Sequence, residues 1–308
     1  SADRQDPSIA PIGQLVDQSE IVSEKRGVRT SWTRPDVFSV TGLELHVGID
    51  AVRDETEQRL ALTDRIWVPP MDYSSVGPYL QLSYDVGPVT LAGGIRREDG
   101  EIEVDDYTTT FFRNSVAVAG GTLDYEDDLV NAGVVWRVGG GFSTFLSYSE
   151  GFTLPNIGIP LRNINQPGQS VEGILDLQAI VFENQEIGFN WRGGPISVGA
   201  SYYESKSDLG ASLSVDPVTQ DVVLNRAPVE IKGVDLTAEW RALDSLRFSV
   251  VYAHTKGKTA ASNAAGAPLD VTMGVTNISP DKLNATIDWR FVPEASVVLS
   301  STTLMGRD

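Results

Sequence analysis

The chain has 308 residues, with 42 acidic side chains against 24 basic ones, a formal net charge of −18 and no cysteine. Nucleic acid is excluded as a partner, because a phosphate backbone is held by clusters of Lys and Arg. Disulfide frameworks and thiolate zinc sites are excluded by the lack of cysteine. No apolar run reaches the roughly 18 residues of a membrane-spanning helix, but strands of a transmembrane barrel alternate and need no such run.

Alternation of apolar and polar residues predicts strands along most of the chain. The N-terminal tail lacks the basic and apolar segments of a signal peptide, so the chain is expected to be mature or truncated. A first strand is predicted near residues 21–33 and a second at 43–49. The following predicted strands pair as 80–86 with 89–95, 130–138 with 142–148, 187–191 with 196–202, 234–240 with 246–252, and 283–289 with 295–299. The sequence therefore predicts six hairpins and about twelve strands.

The connections between predicted strands are of two alternating kinds. Tight turns are predicted near residues 36, 87, 140, 194, 244 and 293, at intervals of about 50 residues. Long polar connections are predicted at 53–74, 97–128, 151–184, 204–228 and 254–281. Tight turns at one end and long loops at the other are typical of a transmembrane β-barrel, so the predicted fold is all-β and antiparallel.

Five of the six tryptophans stand close to a predicted tight turn, on the apolar side of their strands. They are Trp32, Trp136, Trp191, Trp240 and Trp289. There an indole buries its ring in lipid while its N–H reaches the headgroup zone, which predicts a membrane-interface girdle. The neighbouring arginines, Arg137, Arg192, Arg241 and Arg290, are expected on the opposite face. A soluble sandwich is the alternative, but the repeated pair and the one-sided loops favour the barrel.

The polar connections contain no pattern that assigns catalysis or a metal. The connection at 97–128 is strongly acidic and is expected to be a solvated surface, since it lacks the spacing of an EF-hand. The two histidines, His46 and His254, lie far apart in the sequence. We therefore predict no catalytic residue and no metal ligand.

Several segments resemble one family of membrane proteins. Residues 142–158, "FSTFLSYSEGFTLPNIG", are similar to the stretch of TonB-dependent outer-membrane receptors in which a strand ending in Tyr-Ser-Glu-Gly-Phe enters a loop through a nearby Pro. Residues 183–208, 230–240 and 277–289 resemble, in the same order, the hairpins that follow in that family. The loop "LPNIGIPLRNINQPGQSVEG" most resembles the ferric-siderophore branch.

This resemblance implies a 22-stranded barrel in the bacterial outer membrane, surrounded by lipid and lipopolysaccharide and filled by a plug domain. The TonB complex would act through the plug and drive uptake of a ferric siderophore, with no covalently bound cofactor. Residues 1–308 are then expected to be the barrel portion, holding about twelve strands but neither the plug nor the TonB-contacting box. The alternatives are a complete twelve-stranded porin and a barrel enzyme of the lipase type.

Ligand contacts in such a receptor are expected from long loops. The candidates offer aromatic rings, cations and an amide for an anionic or aromatic chelate: Tyr107, Phe111, Phe112, Arg113, Arg162 and Asn163. The alternative is that these loops pack on themselves. A second group is predicted to form a structural corner, in which Gly permits an unusual backbone and Pro ends the strand: Tyr148, Glu150, Gly151, Phe152 and Pro155.

Overall fold

The computed structural model describes residues 18–110, 113–173, 178–215, 222–262, 264 and 267–306. Within those ranges, no helix combines the length and the apolar character needed to cross a membrane. The strands are β1 (Ser19–Arg34), β2 (Leu43–Leu60), β3 (Ile66–Val86), β4 (Val89–Val104), β5 (Tyr107–Thr108), β6 (Ala117–Val118), β7 (Gly121–Gly139), β8 (Phe142–Thr153), β9 (Ile180–Gly193), β10 (Ile196–Val215), β11 (Val222–Leu243), β12 (Leu246–Thr259), β13 (Val271–Thr272), β14 (Lys282–Val292) and β15 (Ala295–Leu304). The helix α1 spans Gly158–Asn163.

One antiparallel sheet contains nearly all of these strands. Its order is β1-β2-β3-β4-β7-β8-β9-β10-β11-β12-β14-β15, with β13 paired to β12, while β5 and β6 form a separate hairpin. Strands along this path follow one another in chain order, and each is antiparallel to its neighbours. The six predicted hairpins are confirmed, and the twelve strands on this path match the predicted number; β5, β6 and β13, of two residues each, were not predicted.

The register sorts the side chains of the sheet onto two different faces. Leu91, Leu146 and Ile187 lie in one row across β4, β7, β8 and β9 and are exposed. We call this side the apolar face. The opposite side, the polar face, carries His46 and Arg96 among other hydrogen-bonded groups. A broad exposed apolar face marks a surface that lipid or another protein covers.

The end of the sheet with the tight turns, here the turn end, has a repeated backbone contact. The N–H of the Arg in each Trp-Arg pair donates to a carbonyl in the turn of the preceding hairpin: Arg137 to Pro88 at 2.8 Å, Arg192 to Gly141 at 2.9 Å, Arg241 to Pro195 at 2.8 Å and Arg290 to Ser245 at 2.8 Å. These bonds hold each hairpin in register with its neighbour. Because the Arg of each pair makes this bond, every Trp-Arg pair lies at the same place relative to the turn of the preceding hairpin, and successive turns are evenly spaced.

Gly141 is the turn residue least able to carry a side chain. Its φ is +79°, and an added Cβ would overlap the carbonyl of Arg192. We expect Gly141→Ala to cost about 1 kcal/mol for the left-handed backbone and roughly 1–3 kcal/mol more for the overlap. Thermal unfolding of the purified protein measures this. Gly140→Ala is the matched control, because Gly140 has φ +59° with nothing near an added Cβ; equal losses would contradict the prediction.

At the opposite end, here the loop end, the strands are longer and the connections shorter than predicted. β2 and β3 reduce the predicted 53–74 connection to residues 61–65, and the others shrink to 105–120, 154–179 and 260–281. The strand bounds likewise contradict the predicted 204–228 connection, whose middle lies outside the described residues. The prediction failed because these strand ends are polar on their exposed side, as the ion pair between Arg53 and Asp72 shows.

The sheet curls around its polar face. The six-residue helix α1 contacts both β3 and β11, although β4, β7, β8, β9 and β10 lie between those strands in the sheet. In a flat sheet, β3 and β11 would be about 29 Å apart at roughly 4.8 Å per strand. A helix of this length spans only about 9 Å. The strands must therefore bend toward each other around α1.

Candidate functional site

Two loops fold onto the polar face at the loop end. The hairpin loop, residues 105–120, contains β5 and β6, and the helical loop, residues 154–179, contains α1. Their buried side chains join those of β4 and β7 in one hydrophobic cluster, the mouth cluster: Ile102, Val104, Tyr107, Val116, Val118, Tyr125, Ile157, Leu161, Ile164 and Val171. Burying a large apolar side chain contributes about 1.5–3 kcal/mol. The two loops therefore form a packed unit.

Hydrogen bonds between the two loops reinforce this packing. The hydroxyl of Tyr107 donates to the Leu161 carbonyl at 2.8 Å, and a guanidinium nitrogen of Arg113 donates to Oδ1 of Asn163 at 2.9 Å. A third bond runs from the Asn114 amide to the Asn165 carbonyl at 3.0 Å. These partners lie at least 50 residues apart in the sequence. The helical loop is thus tied to the hairpin loop as well as to the strands that it contacts.

Tyr107 has a packing role in this unit. Burial raises the pKa of Tyr107 well above its ordinary value. Its neutral hydroxyl donates to the Leu161 carbonyl. The structure thus favours the alternative of loop packing for Tyr107, whose ligand contact stays a prediction. Phe111 and Phe112 lie outside the described residues.

Arg113, Arg162 and Asn163 come together at the loop end. Asn163 accepts from Arg113 and directly follows Arg162, whose guanidinium carbon lies 5.7 Å from the centroid of the Trp67 ring. All three predicted residues are partly exposed. Planar guanidinium groups bind carboxylates and similar oxyanions through paired hydrogen bonds. The arrangement therefore suits an anionic ligand, and whether these residues bind one stays a prediction.

Trp67 is a site residue that the sequence analysis missed. It lies on β3, and its ring supports Arg162 through a cation–π contact. Trp67 is the sixth tryptophan and stands away from the predicted tight turns. Its exclusion from the girdle was the only available signal, because the contact joins residues 95 positions apart.

A second polar group lies on the wall of the polar face. Asp50 accepts from Arg29 at 2.7 Å and from Arg96 at 2.9 Å, and Arg96 also bonds Glu98 at 2.7 Å. Here two cations face two carboxylates, so the group adds hydrogen bonds to the wall and no net charge. These residues lie on β1, β2 and β4, and the Arg96 side chain reaches Asp50 by crossing β3 over Gly77, where a Cβ would overlap the guanidinium group.

The predicted corner at the end of β8 is held by Glu150. Its carboxylate accepts from the Tyr148 hydroxyl at 2.8 Å and from the Val130 N–H at 2.9 Å. Phe152 packs edge-on against Tyr125, with ring centroids 6.3 Å apart, and buried Pro155 follows the strand end at Thr153.

The expectation of an unusual backbone at Gly151 is wrong. Gly151 lies within β8 and its φ is outside the left-handed region. A Cβ at this position would instead overlap the ring of Phe182 on β9. Glycine is required here because an aromatic ring crosses the strand closely.

The five girdle tryptophans lie where the alternation predicted. They are exposed by 36–52% and lie on the apolar face at the turn end. Phenylalanine rings extend the row: Trp240 stacks on Phe248 at 5.4 Å, and Trp289 lies 5.6 Å from Phe291. Arg137 donates to Thr90 on the other side of the sheet. The register thus puts the tryptophans on the apolar face and Arg137 on the polar face, and their role as a membrane-interface girdle stays a prediction.

The two histidines occupy separate parts of the sheet. His46 on β2 contacts the Tyr79 hydroxyl at 3.1 Å on the polar face, whereas His254 on β12 lies 2.6 Å from Asp281. In the described part of the chain, no three His, Asp or Glu side chains are grouped to hold a metal ion.

The fold and sequence together identify the family. Residues 25–303 match the sequence model described as TonB dependent receptor-like, beta-barrel. The chain belongs to the TonB-dependent receptor family. This family comprises receptors and transporters rather than enzymes, and the resemblance seen in the sequence is confirmed. In a barrel of this family, the apolar face is the lipid side and the polar face lines the lumen.

Two curated relatives are named as receptors for ferric aerobactin and for rhizobactin. The ferric aerobactin receptor of Klebsiella pneumoniae is 24% identical over 266 residues, covering 76% of this chain and 34% of that protein. The rhizobactin receptor of Rhizobium meliloti (strain 1021) is 24% identical over 174 residues, covering 50% of this chain and 23% of that protein. This TonB-dependent receptor chain thus spans about a third of the first relative and about a quarter of the second.

A solved structure confirms the barrel fold. The copper transporter OprC superimposes with a TM-score of 0.67 at 16% identity, covering 88% of this chain and 42% of that one. At such identity the likeness concerns the fold alone. The predicted all-β antiparallel barrel is therefore confirmed for this member of the TonB-dependent receptor family.

Proposed function

We propose that this chain forms part of a bacterial outer-membrane receptor that takes up a ferric siderophore. One observation carries the proposal: a guanidinium nitrogen of Arg113 in the hairpin loop bonds Asn163, the last residue of the helix that also carries Arg162. A ferric siderophore with free carboxylates presents oxyanions to such a cationic site. The curated relatives named for ferric aerobactin and rhizobactin support this class of ligand.

Energy coupling belongs to the complete protein. In this proposal the TonB complex acts through a plug domain, which the family resemblance implies and which would fill the lumen. The polar wall around Asp50 and Arg96 offers hydrogen-bonding groups to that domain. The porin and lipase alternatives are not carried forward, because the family match and the named relatives favour a receptor.

Removing both cations tests the ligand site. We expect Arg113→Gln/Arg162→Gln, in the receptor expressed from its complete reading frame, to bind ferric aerobactin about a hundredfold more weakly than the unchanged receptor. The reason is the loss of two charge-assisted hydrogen bonds. Quenching of tryptophan fluorescence during titration with ferric aerobactin and ferric rhizobactin measures the affinity.

The matched control removes the same charge from the lipid side of the loop end. Arg53→Gln/Arg97→Gln alters two arginines that pair with carboxylates there, and it should leave the affinity unchanged. Equal weakening in both variants would show a nonspecific charge effect. Failure of the unchanged receptor to bind either chelate would overturn the proposed ligand class.

A further inference from the structure

A β-bulge in β3 sets the direction of the Trp67 side chain. Ile66 and Val68 pair with two successive residues of β2, so Trp67 between them is an extra residue with no partner there. Pro69 and Pro70 follow at once, and a proline has no N–H to donate to a neighbouring strand. A bulge turns a side chain away from the direction that regular alternation gives it. Trp67 is therefore aimed by a local irregularity of its strand.

The bulge lets two successive residues of β3 contact the same helix. Val68 packs on Gly158, where an added Cβ would lie 3.1 Å from a Val68 methyl group. Trp67 lies against Arg162, although successive side chains of a regular strand point to opposite faces. Gly158 and Arg162 are four residues apart and share one face of α1. That face of the helix therefore docks on β3 at both ends, once through backbone and once through the indole.

The contact with Trp67 holds Arg162 without using its hydrogen-bond donors. The guanidinium carbon lies 5.7 Å from the centroid of the ring, within the roughly 6 Å of a cation–π contact. A guanidinium group has five N–H donors, all in its plane, and a cation–π contact is made through the face of the aromatic ring instead. Both side chains are partly exposed, so a ligand in solution can reach the guanidinium group.

The second cation of the site is held by an uncharged group as well. A guanidinium nitrogen of Arg113 donates to Oδ1 of Asn163, the residue after Arg162, at 2.9 Å. Neither the indole of Trp67 nor the amide of Asn163 carries a charge, so these two contacts orient the cations without neutralising them. Orientation before binding reduces the conformational entropy that a long side chain loses when it meets a ligand. The two contacts therefore prepare the cations for an anion.

We propose that Trp67 is a positioning residue of the chelate site, which holds the Arg162 guanidinium group in the orientation that binds a carboxylate of the ligand. This inference rests on the function proposed above. It adds a residue of the barrel wall to a site whose other members, Arg113, Arg162 and Asn163, lie on loops. Trp67 acts through Arg162, so its loss should weaken binding although every charge of the site remains. Carboxylates are the expected partners, because a guanidinium group binds them through two parallel hydrogen bonds.

The test compares two substitutions of Trp67 in the complete receptor. Isothermal titration calorimetry measures the affinity for ferric aerobactin and, separately, for citrate as a small carboxylate probe. We expect Trp67→Leu to weaken both affinities about fivefold, because the cation–π contact is lost, and Trp67→Phe to recover most of the affinity, because it keeps a ring face. The matched control is Trp32→Leu, which alters an exposed tryptophan at the turn end and should bind both ligands as the unchanged receptor does.

A double-mutant cycle separates positioning from general support of the helical loop. With Arg162→Gln in place, Trp67→Leu should cause no further loss of affinity, because the group that Trp67 orients is gone. An equal loss in that background would show that Trp67 supports the loop as a whole, which overturns the inference. Unchanged affinity of Trp67→Leu for both ligands overturns it too. If ferric aerobactin does not bind but citrate shows the expected loss, the proposed ligand is wrong and the positioning role of Trp67 stands.

Discussion

Replacing Trp136, Trp191, Trp240 and Trp289 together by Ser is expected to lower the yield of folded receptor in the outer membrane severalfold. Each indole lies exposed on the lipid side of the turn end, and aromatic neighbours extend the row. If each ring contributes about 0.5 kcal/mol, the four together contribute about 2 kcal/mol, a factor of about 30 in the ratio of folded to unfolded protein. Heat-modifiable migration on gels measures the folded fraction.

The matched variant replaces the same four tryptophans by Phe. It keeps an aromatic ring in the interface but removes the indole N–H, so it should recover most of the yield. Trp67→Ser provides a second comparison, since Trp67 lies at the loop end against Arg162. An unchanged yield in the fourfold Ser variant would refute the girdle assignment.

Leu161→Ala is expected to open the loop unit while leaving the barrel intact. Leu161 lies on α1 with 0% of its surface exposed, and its carbonyl accepts the Tyr107 hydroxyl. Truncating a buried Leu to Ala costs about 2–5 kcal/mol. Few residues hold the two loops together, so this loss of stability should let the hairpin loop and the helical loop separate locally. Limited proteolysis should then cut residues 154–179 at least tenfold faster.

Leu62→Ala is the matched control, because Leu62 is 64% exposed in the connection between β2 and β3. It should change neither the cleavage rate nor chelate affinity. Heat-modifiable migration should stay normal in both variants, which separates loop opening from barrel unfolding. Slow cleavage of the Leu161→Ala protein would show that the loops are held independently of the mouth cluster.

At the loop end, the sequence did not allow the strand boundaries to be predicted. Glu101, Ile102, Glu103 and Val104 alternate as a strand does, yet their composition was interpreted as loop. Ile102 and Val104 are buried by the hairpin loop and the helical loop, while the glutamates face solvent. The alternating pattern in this part of β4 is short, and the surrounding carboxylates made the segment look like a polar loop. Its apolar side is covered by loops that are distant in the sequence.

The candidate site was only partly predictable for the same reason. Arg113, Arg162 and Asn163 were selected as residue types suited to an anion, but nothing local indicated that they meet. The Arg113–Asn163 bond crosses 50 residues of sequence, and the Arg162–Trp67 contact crosses 95. Gly151 was explained by backbone freedom, whereas the actual cause is the Phe182 ring on the next strand.

The sequence by itself determined the hairpins, their order, the two faces of the sheet and the row of tryptophans. These features follow from period-two alternation and from turns between strands adjacent in the chain, and both are local. Only the tertiary structure decided how far the strands extend, which loops fold onto the polar face and which cations meet there. Those outcomes depend on burial between segments distant in the chain, and the curvature of the sheet sets which segments come into contact.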